Sequence, residues 1–480
     1  MYTSEYIKEE LYTKYILPTE RKKENYVGIE VEMPIVALDG SATSYTVAQN
    51  CMQAAIEEFH LKPERLDVNG KCYSAVHEET GDVFSFDCSY NNLELSLGKA
   101  KDLAELENRF KKYVSFLNQE LEKSGHLLTG MGINPGYQVN RKDFIETGRY
   151  QMLKQYLAKS KEWQEGMYFH DYSSFGAYAS ASQVQLDVEK EELISVIQAF
   201  SKVEPVKAVL FSNSVLESEP DLLCVRDLFW EHSTHGINPH NIGAFECKPS
   251  SIQELVEYIA STSIFCTERE GHYLYFHPMP IVEYLQTDRV EAEYFEQGKA
   301  HSYTLQPQME DLEYLRTYKF VDLTFRGTIE FRSVCCQPLQ ETMTVAAFHL
   351  GLMEKVGELD RLLEQDTVLY QHGYSEVELR KLINGRKWPN FVDKVALQRL
   401  CVDVLDLAKE GLLKRGLGEE KYLLPLYDRA KTLVSPGRKY VEEKERGRAV
   451  ADLVRVPKEA TIMKTAIEYI VGCHVSPSAA

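Results

Sequence analysis

The sequence predicts an α+β protein, in which helices flank a mainly antiparallel sheet. One observation concerns strands: four segments alternate apolar and polar residues, as strands buried on one side do, and they lie at 26–33, 92–97, 183–188 and 325–332. The other concerns helices, because apolar residues recur at three- and four-residue steps between these segments and after them. The strands come first and the helices dominate the end, which is typical of an α+β chain.

The first strand carries two carboxylates on one face. Val27, Ile29 and Val31 alternate with Glu30 and Glu32. Side chains two residues apart in a strand point to the same side, so the Cα atoms of the two acids are expected about 6 to 7 Å apart.

The other three strands add polar side chains in the same way. These are Asn92, Glu94 and Ser96 in the second, Gln183, Gln185 and Asp187 in the third, and Arg326, Thr328, Glu330 and Arg332 in the fourth. Each strand alone is compatible with a half-exposed strand of an antiparallel sheet whose polar face simply contacts water. Together, their oxygen ligands suit Mg²⁺ or Mn²⁺, which commonly share their coordination with substrate phosphates. Arginine binds phosphate and carboxylate oxygens in pairs, so Arg326 and Arg332 are candidates for contacts to a phosphoryl group or an acidic substrate.

Composition excludes several classes of protein. The chain has 480 residues and a net charge of -19, which argues against a nucleic-acid backbone as partner. No apolar run approaches the roughly 18 residues that span a bilayer, and the start lacks a signal-type segment. We therefore expect a cytoplasmic protein with small-molecule substrates and neither a nucleic acid nor a membrane as partner.

The chain is expected to form one compact body with two parts. Its length alone suggests roughly three domains, yet the sequence shows no repeat, low-complexity tract or flexible linker. Residues 1–338 carry the strands and are predicted to be the catalytic part. Residues 339–480 are predicted to be mostly helical, with one helix ending at Gly416 after two basic residues.

Common catalytic motifs are missing from the sequence. There is no G-x-x-x-x-G-K-[ST] loop, no G-x-S-x-G elbow and no kinase set. The glycine cluster at 130–136 contains Asn134-Pro135, which favours a turn over the helix of a dinucleotide fold. His232, His235 and His240 lack H-E-x-x-H spacing, so a polar loop near the cleft is favoured over a zinc site.

Five segments, taken in order, resemble the motifs of the glutamate-cysteine ligases of the plant and bacterial type. They lie at 28–32, 93–96, 132–135, 182–187 and 327–332. The resemblance covers roughly residues 26 to 338, with Asn213-Ser214 and the stretch 226–230 fitting between the motifs. Each motif is short, and their common order makes the resemblance specific.

The resemblance implies a glutamine-synthetase-like fold, with a curved, mainly antiparallel sheet of about six strands that forms the active-site cleft. It also implies ATP and Mg²⁺, with Mn²⁺ as an alternative ion. By this resemblance the metal ligands are Glu30, Glu32, Glu94, Gln185 and Glu330. Glu30, Glu32 and Arg332 are expected to bind the nucleotide, and Arg326 and Arg332 to act in catalysis.

The implied reaction is ATP-dependent joining of the side-chain carboxylate of glutamate to an amine, with γ-glutamylcysteine as the expected product. Loops choose the amine, and Tyr168, His170, Tyr172 and the segment 232–240 are candidates for contacting it. Three alternatives stay open at this point. The chain could join glutamate to another amine in a biosynthetic pathway, act as a metal-dependent hydrolase, or be a binding protein without catalysis.

Overall fold

The computed structural model describes residues 2–163 and 166–454. It confirms the α+β class, with helices packed against open antiparallel sheets. The part of the predicted helical region at 455–480 lies outside the described residues. Within the described ranges, no helix combines the length and the apolar character needed to cross a lipid bilayer.

The strands and helices follow one another along the whole described chain. The strands are β1 Val27–Ala37, β2 Lys62–Leu66, β3 Cys72–Val76, β4 Val83–Phe86, β5 Asn92–Ala100, β6 His126–Leu128, β7 Ser182–Asp187, β8 Ile242–Gly243, β9 Ser263–Arg269, β10 His272–Pro280, β11 Val290–Glu296, β12 Lys299–Leu305, β13 Tyr318–Lys319, β14 Val321–Leu323 and β15 Thr328–Phe331. The helices are α1 Ser4–Leu11, α2 Tyr45–Phe59, α3 Leu103–Glu122, α4 Gly148–Ala158, α5 Lys190–Lys202, α6 Glu204–Phe211, α7 Val225–Glu231, α8 Ile252–Ser261, α9 Ile281–Gln286, α10 Met343–Met353, α11 Val356–Gln365, α12 Glu376–Asn384, α13 Lys394–Arg415, α14 Leu424–Thr432, α15 Pro436–Glu445 and α16 Val450–Val454.

The main sheet has nine strands in the described chain, compared with the expected six or so. Their order is β14-β15-β7-β1-β5-β4-β3-β2, and β6 pairs with the second half of β1. Every pairing in it is antiparallel. The extra width comes partly from β2, whose residues are all exposed, so it lacks the alternation by which a strand is recognised. A second sheet has the order β12-β11-β10-β9.

Alternation in β1 separates a packed face from a polar face. Val27, Ile29, Val31 and Met33 are buried, with at most 4 % of their surface exposed. Helices α3 and α10 pack against this part of the sheet, α3 beside β5 and α10 beside β1 and β7. The α3 helix begins after Asp102, whose side chain accepts a hydrogen bond from the first turn. The polar side chains of β1 are left on the other face.

The fourth predicted strand begins three residues later than expected. Phe325, Arg326 and Gly327 form the turn between β14 and β15, so Phe325 does not belong to the apolar face and is 42 % exposed. Gly327 has φ of +72°, and a Cβ atom there would lie 2.5 Å from the carbonyl oxygen of Pro18. Glycine is therefore required at this turn by both conformation and space. Arg326 is a turn residue.

The predicted C-terminal helices are confirmed as far as residue 454. Helix α10 packs against α13, and α13 ends at Gly416 in the left-handed conformation with φ of 71°. The division into 1–338 and 339–480 stays a prediction. Arg380 of α12 joins the two parts in a buried network, since its Nη1 lies 2.7 Å from Glu204 Oε2 and its Nε lies 2.8 Å from Asp227 Oδ2.

Replacing Arg380 should destabilise the protein strongly. The change Arg380→Ala leaves the buried Glu204 carboxylate without its arginine partner, and we expect a loss of about 3–5 kcal/mol in the free energy of unfolding, measured with urea. The control is Lys381→Ala, which removes an ion pair between Lys381 and Glu231 at the surface and should cost at most about 1 kcal/mol. Equal losses of unfolding free energy in the two variants would contradict the stabilising role given to Arg380.

Candidate active site

The register of the main sheet brings the predicted acids together on its polar face. Glu32 on β1 lies directly opposite Glu94 on β5, and Gln185 on β7 lies opposite Glu330 on β15. Glu30 lies two residues before Glu32 on β1, and Gln185 Nε2 donates to Glu30 Oε1 over 3.2 Å. The five predicted metal ligands therefore share one surface, and their coordination of a metal stays a prediction.

Asp87 adds a carboxylate that the sequence analysis did not assign to the site. It follows β4, and the backbone turns at Cys88, whose φ of 55° is in the left-handed region. One carboxylate oxygen each from Glu32, Asp87 and Glu94 lie within 4.8 Å of one another. Oxygens on opposite sides of Mg²⁺ lie about 4.2 Å apart, so small shifts would let all three bind one divalent cation.

Hydrogen bonds orient these carboxylates. The backbone N–H of Ala181 donates to Glu32 Oε2 over 2.7 Å, and Gln183 Nε2 donates to Glu32 Oε1 over 3.1 Å. The Ser96 hydroxyl donates to Glu94 Oε1 over 2.6 Å. The Oε1 atom of Gln183 is buried and has no hydrogen-bond partner among the residues that the structure describes. A neutral oxygen of this kind is a suitable ligand for a hard cation.

Burial and mutual repulsion raise the pKa values of the clustered acids. Burial, followed by the charges of Glu330 and Glu94, raises the pKa of Glu30 to about 8. Burial together with the charge of Asp87 raises the pKa values of Glu32 and Glu94 to about 8 as well. Protons are therefore retained near neutral pH, and a divalent cation would displace them.

The two predicted catalytic arginines lie at the edge of the acid cluster. Arg332 Nη1 lies 2.8 Å from Glu330 Oε2. Arg326 Nη2 donates to Gln185 Oε1 over 2.9 Å, so the Gln185 oxygen already has a partner. A metal bound by Gln185 would replace this arginine contact.

Three further charged residues reach the site from outside the recognised strands. Asp322 on β14 lies opposite Glu330, and burial raises its pKa to about 7. Burial raises the pKa of Asp87, and the positive charge of Arg149 on α4 lowers it. The buried Arg226 on α7 lowers the pKa of Glu32 in the same way. Arg226 lies in the stretch 226–230 already singled out. Asp322 lies in an alternating run at 321–325 and reaches Glu330 through the hairpin of β14 and β15, whereas no local pattern marks Arg149.

A cavity of about 510 Å³ opens beside the acids at the Gly28 end of β1. The cavity is lined by three basic and three acidic side chains, namely Arg21, Lys99, Arg326, Glu24, Glu30 and Asp187. Arg21 lies 3.3 Å from Asp187 and Lys99 lies 3.9 Å from Glu24, so most charges of the lining offset one another. Arg326 contacts the neutral amide of Gln185, so its guanidinium can contact an anionic ligand in the cavity.

The loop residues that were candidates for contacting the amine have structural partners. The His170 ring bonds through Nε2 to the carbonyl of Phe229 at 2.9 Å, and the Tyr172 hydroxyl donates to Glu219 over 2.9 Å. The histidines of 232–240 belong to no candidate metal group of the described residues. His235 is buried and its ring contacts those of Trp230 and Phe265, so this part of the segment packs in the interior.

The comparisons with known proteins decide the family. Residues 26–455 match the family model described as glutamate-cysteine ligase family 2. The chain belongs to this family. The chloroplastic glutamate-cysteine ligases of Solanum lycopersicum and Arabidopsis thaliana are each 24 % identical to it over 329 residues, which are 67 % of this chain and 58 % of the relative. The match thus spans less than two thirds of these relatives.

Two solved structures are similar at low identity. A glutamate-cysteine ligase from Francisella tularensis in complex with AMP has a TM-score of 0.42 and 10 % identity, over 95 % of this chain and 96 % of that one. A bifunctional glutathione synthetase from Pasteurella multocida has a TM-score of 0.39 and 11 % identity, over 94 % of this chain and 52 % of that one. The plant relatives of this family member are chloroplastic, and its cytoplasmic location stays a prediction.

Magnesium binding should release protons and tighten with rising pH. Glu30, Glu32 and Glu94 hold protons below about pH 8 in the metal-free protein, so Mg²⁺ must displace them, and affinity should increase from about pH 7 to about pH 9. Calorimetry in buffers of different ionisation enthalpy counts the protons. Glu94→Gln should weaken binding and release fewer protons, whereas Glu257→Gln, at an exposed ion pair with Lys8, should match the wild type. Binding independent of pH would contradict the proposed ligands.

Proposed function

We propose that the protein is an ATP-dependent carboxylate-amine ligase, which activates the side-chain carboxylate of glutamate and joins it to an amino-acid amine. The amine of cysteine is the acceptor that the family favours, with γ-glutamylcysteine as product. The carboxylate cluster on the polar face of the sheet is the observation that carries the proposal. It supplies oxygen ligands for divalent cations beside a cavity whose wall includes Arg326.

The acids divide into two neighbouring groups. Glu32, Asp87 and Glu94 would hold one Mg²⁺ or Mn²⁺ ion, while Glu30 and Glu330 lie next to them. When bound, such an ion neutralises phosphate oxygens and stabilises the charge of a transferring phosphoryl group. The apolar residues beneath the sheet keep the carboxylates in fixed positions, so little reorganisation is needed during the reaction.

ATP would approach from the cavity at the Gly28 end of β1. Arg326 lines this cavity and would contact phosphate oxygens of the nucleotide. Arg326 also reaches Gln185, which contacts Glu30, so the arginine connects the cavity with the acids. The phosphates would thereby point towards the metal ligands.

The reaction would proceed in two steps. An oxygen of the glutamate side-chain carboxylate attacks the γ-phosphorus, and ADP leaves with its bridging oxygen. The nitrogen of the neutral amine then attacks the acyl carbon, phosphate leaves with the carboxylate oxygen, and the nitrogen loses a proton. Arg326 and Arg332 would stabilise the charge of the transferring group, so no protein nucleophile is required.

Neutralising one metal ligand should abolish turnover without unfolding the protein. In Glu30→Gln and Glu330→Gln the side chain keeps its size but loses the charge that a divalent cation requires, and kcat should fall about 100-fold or more. Circular dichroism should remain that of the wild type. Glu257→Gln is the control with unchanged kcat, because Glu257 pairs with Lys8 at the surface. Near-normal turnover in both site variants would contradict the roles given to Glu30 and Glu330.

The dependence of ADP release on substrates tests the ligase assignment. With Mg²⁺ and ATP present, ADP should form only when glutamate and an amine are both added. Cysteine should be the best amine, and 2-aminobutyrate should partly replace it because it has a similar size without the thiol. A preference for a larger or more basic amine would show that the acceptor is an amine other than cysteine, and the ligase mechanism would still hold. Amide hydrolysis without nucleotide would favour the metal-dependent hydrolase instead.

A further inference from the structure

The turn that carries Arg326 is held from outside by the N-terminal segment 14–21. Each of the three turn residues has a contact with this segment, in the pairs Phe325 with Lys14, Arg326 with Arg21, and Gly327 with Pro18. The contact to Arg326 is a hydrogen bond, in which Arg21 Nη2 donates to the Arg326 carbonyl oxygen over 3.2 Å. The position of the turn therefore depends on the position of this segment.

Asp187, the last residue of β7, anchors Arg21. The Nη2 atom of Arg21 lies 3.3 Å from Asp187 Oδ1. The other carboxylate oxygen, Oδ2, accepts hydrogen bonds from the backbone N–H groups of Glu24 over 3.2 Å and of Tyr26 over 3.4 Å. The Asp187 side chain is only 10 % exposed, and bonds to a charged acceptor are the stronger ones. One carboxylate thus fixes the chain from Arg21 to the start of β1.

The first turn of α5 holds the same segment on both sides of Arg21. Lys190 Nζ lies 2.8 Å from Glu20 Oε1, and Lys23 Nζ lies 2.9 Å from Glu192 Oε2. Arg21 lies between these two anchored positions, so its backbone has little freedom to move relative to β7 and α5.

The hydrogen bond from Arg21 acts on the backbone of Arg326. The carbonyl that accepts it belongs to the planar peptide that joins Arg326 to Gly327, so the bond fixes the rotation of this peptide. The side chain of Arg326 extends from the same backbone into the cavity wall, where its Nη2 donates to Gln185 Oε1 over 2.9 Å. Arg21 thereby determines where the Arg326 guanidinium lies.

We propose that Arg21 is a positioning residue for the reaction: held by Asp187, it fixes the turn so that the Arg326 guanidinium meets the transferring phosphoryl group. This rests on the proposed ligase function and on the role given there to Arg326. Arg21 precedes residues 26–455, which match the family model, so membership of the family does not assign this role. Its own charge is offset by Asp187, and it acts through Arg326 without contacting phosphate itself.

A double-mutant cycle with Arg21→Met and Arg326→Met tests the proposal. Arg21→Met should lower kcat about 10-fold, because misplacing a catalytic group by about 1 Å can cost up to about 100-fold in rate. In the Arg326→Met background the same change should have no further effect, since no arginine is left to position. The melting temperature should stay unchanged, because the Arg21 side chain is 54 % exposed. Arg446→Met is the matched control with unchanged kcat, since Arg446 pairs with Glu443 at the surface.

Additive losses of kcat in the double variant, or an unchanged kcat in Arg21→Met, would overturn the proposal. Amide hydrogen exchange examines the turn without turnover. The N–H groups of Arg326 and Gly327 both bond to Thr324, and Arg21→Met should speed their exchange, whereas Arg446→Met should not. Exchange at the wild-type rate in Arg21→Met would also overturn the proposal.

A wild type that forms no amide would refute the proposed function, and the positioning role is then decided by binding. The same cycle is measured on the dissociation constant of Mg-ATP by calorimetry. Weakening by Arg21→Met that disappears in the Arg326→Met background supports the positioning of Arg326. Additive weakening, or no binding of Mg-ATP to the wild type, overturns it.

Discussion

The register between β1 and its neighbouring strands forces like charges together, and the proposed chemistry depends on it. Glu32 lies opposite Glu94. The negative charges of Glu330 and Glu94 both raise the pKa of Glu30. Burial and repulsion disfavour the ionised forms and raise three pKa values to about 8. The fold tolerates this because apolar side chains on the opposite face anchor the strands. A divalent cation would remove the repulsion between the carboxylates, and this gain in free energy would strengthen its binding.

Two arginines lie against this acid cluster. Arg326 donates to Gln185 and lines the cavity at one end of β1, whereas Arg332 forms an ion pair with Glu330. Both guanidinium groups would meet the anionic groups of the substrates. We therefore assign the triphosphate to the cavity, with the metal ligand Glu30 in its wall.

Local pattern was sufficient to predict the strands that carry the acids, because period-two alternation places Glu30, Glu32 and Glu94 on one face whatever lies around them. Local pattern failed where contacts between distant segments determine the backbone conformation. The 325–327 turn follows from the close approach of Pro18 to Gly327. Asp87 continues the alternation of Phe84, Ser85 and Phe86, so a local signal for it existed, whereas nothing in the sequence around Arg149 marked that residue. The family itself was recognised correctly from the order of short motifs.

Oxygen transfer tests the central claim most directly, namely that this acid face activates a carboxylate with ATP. Glutamate labelled with ¹⁸O in its side-chain carboxylate would be turned over with ATP, Mg²⁺ and cysteine, and the released phosphate analysed by mass spectrometry or ³¹P NMR. If an acyl phosphate forms, the carboxylate oxygen that attacked phosphorus leaves with it, and each phosphate carries one ¹⁸O atom. Phosphate without ¹⁸O, formed together with the amide, would contradict the account.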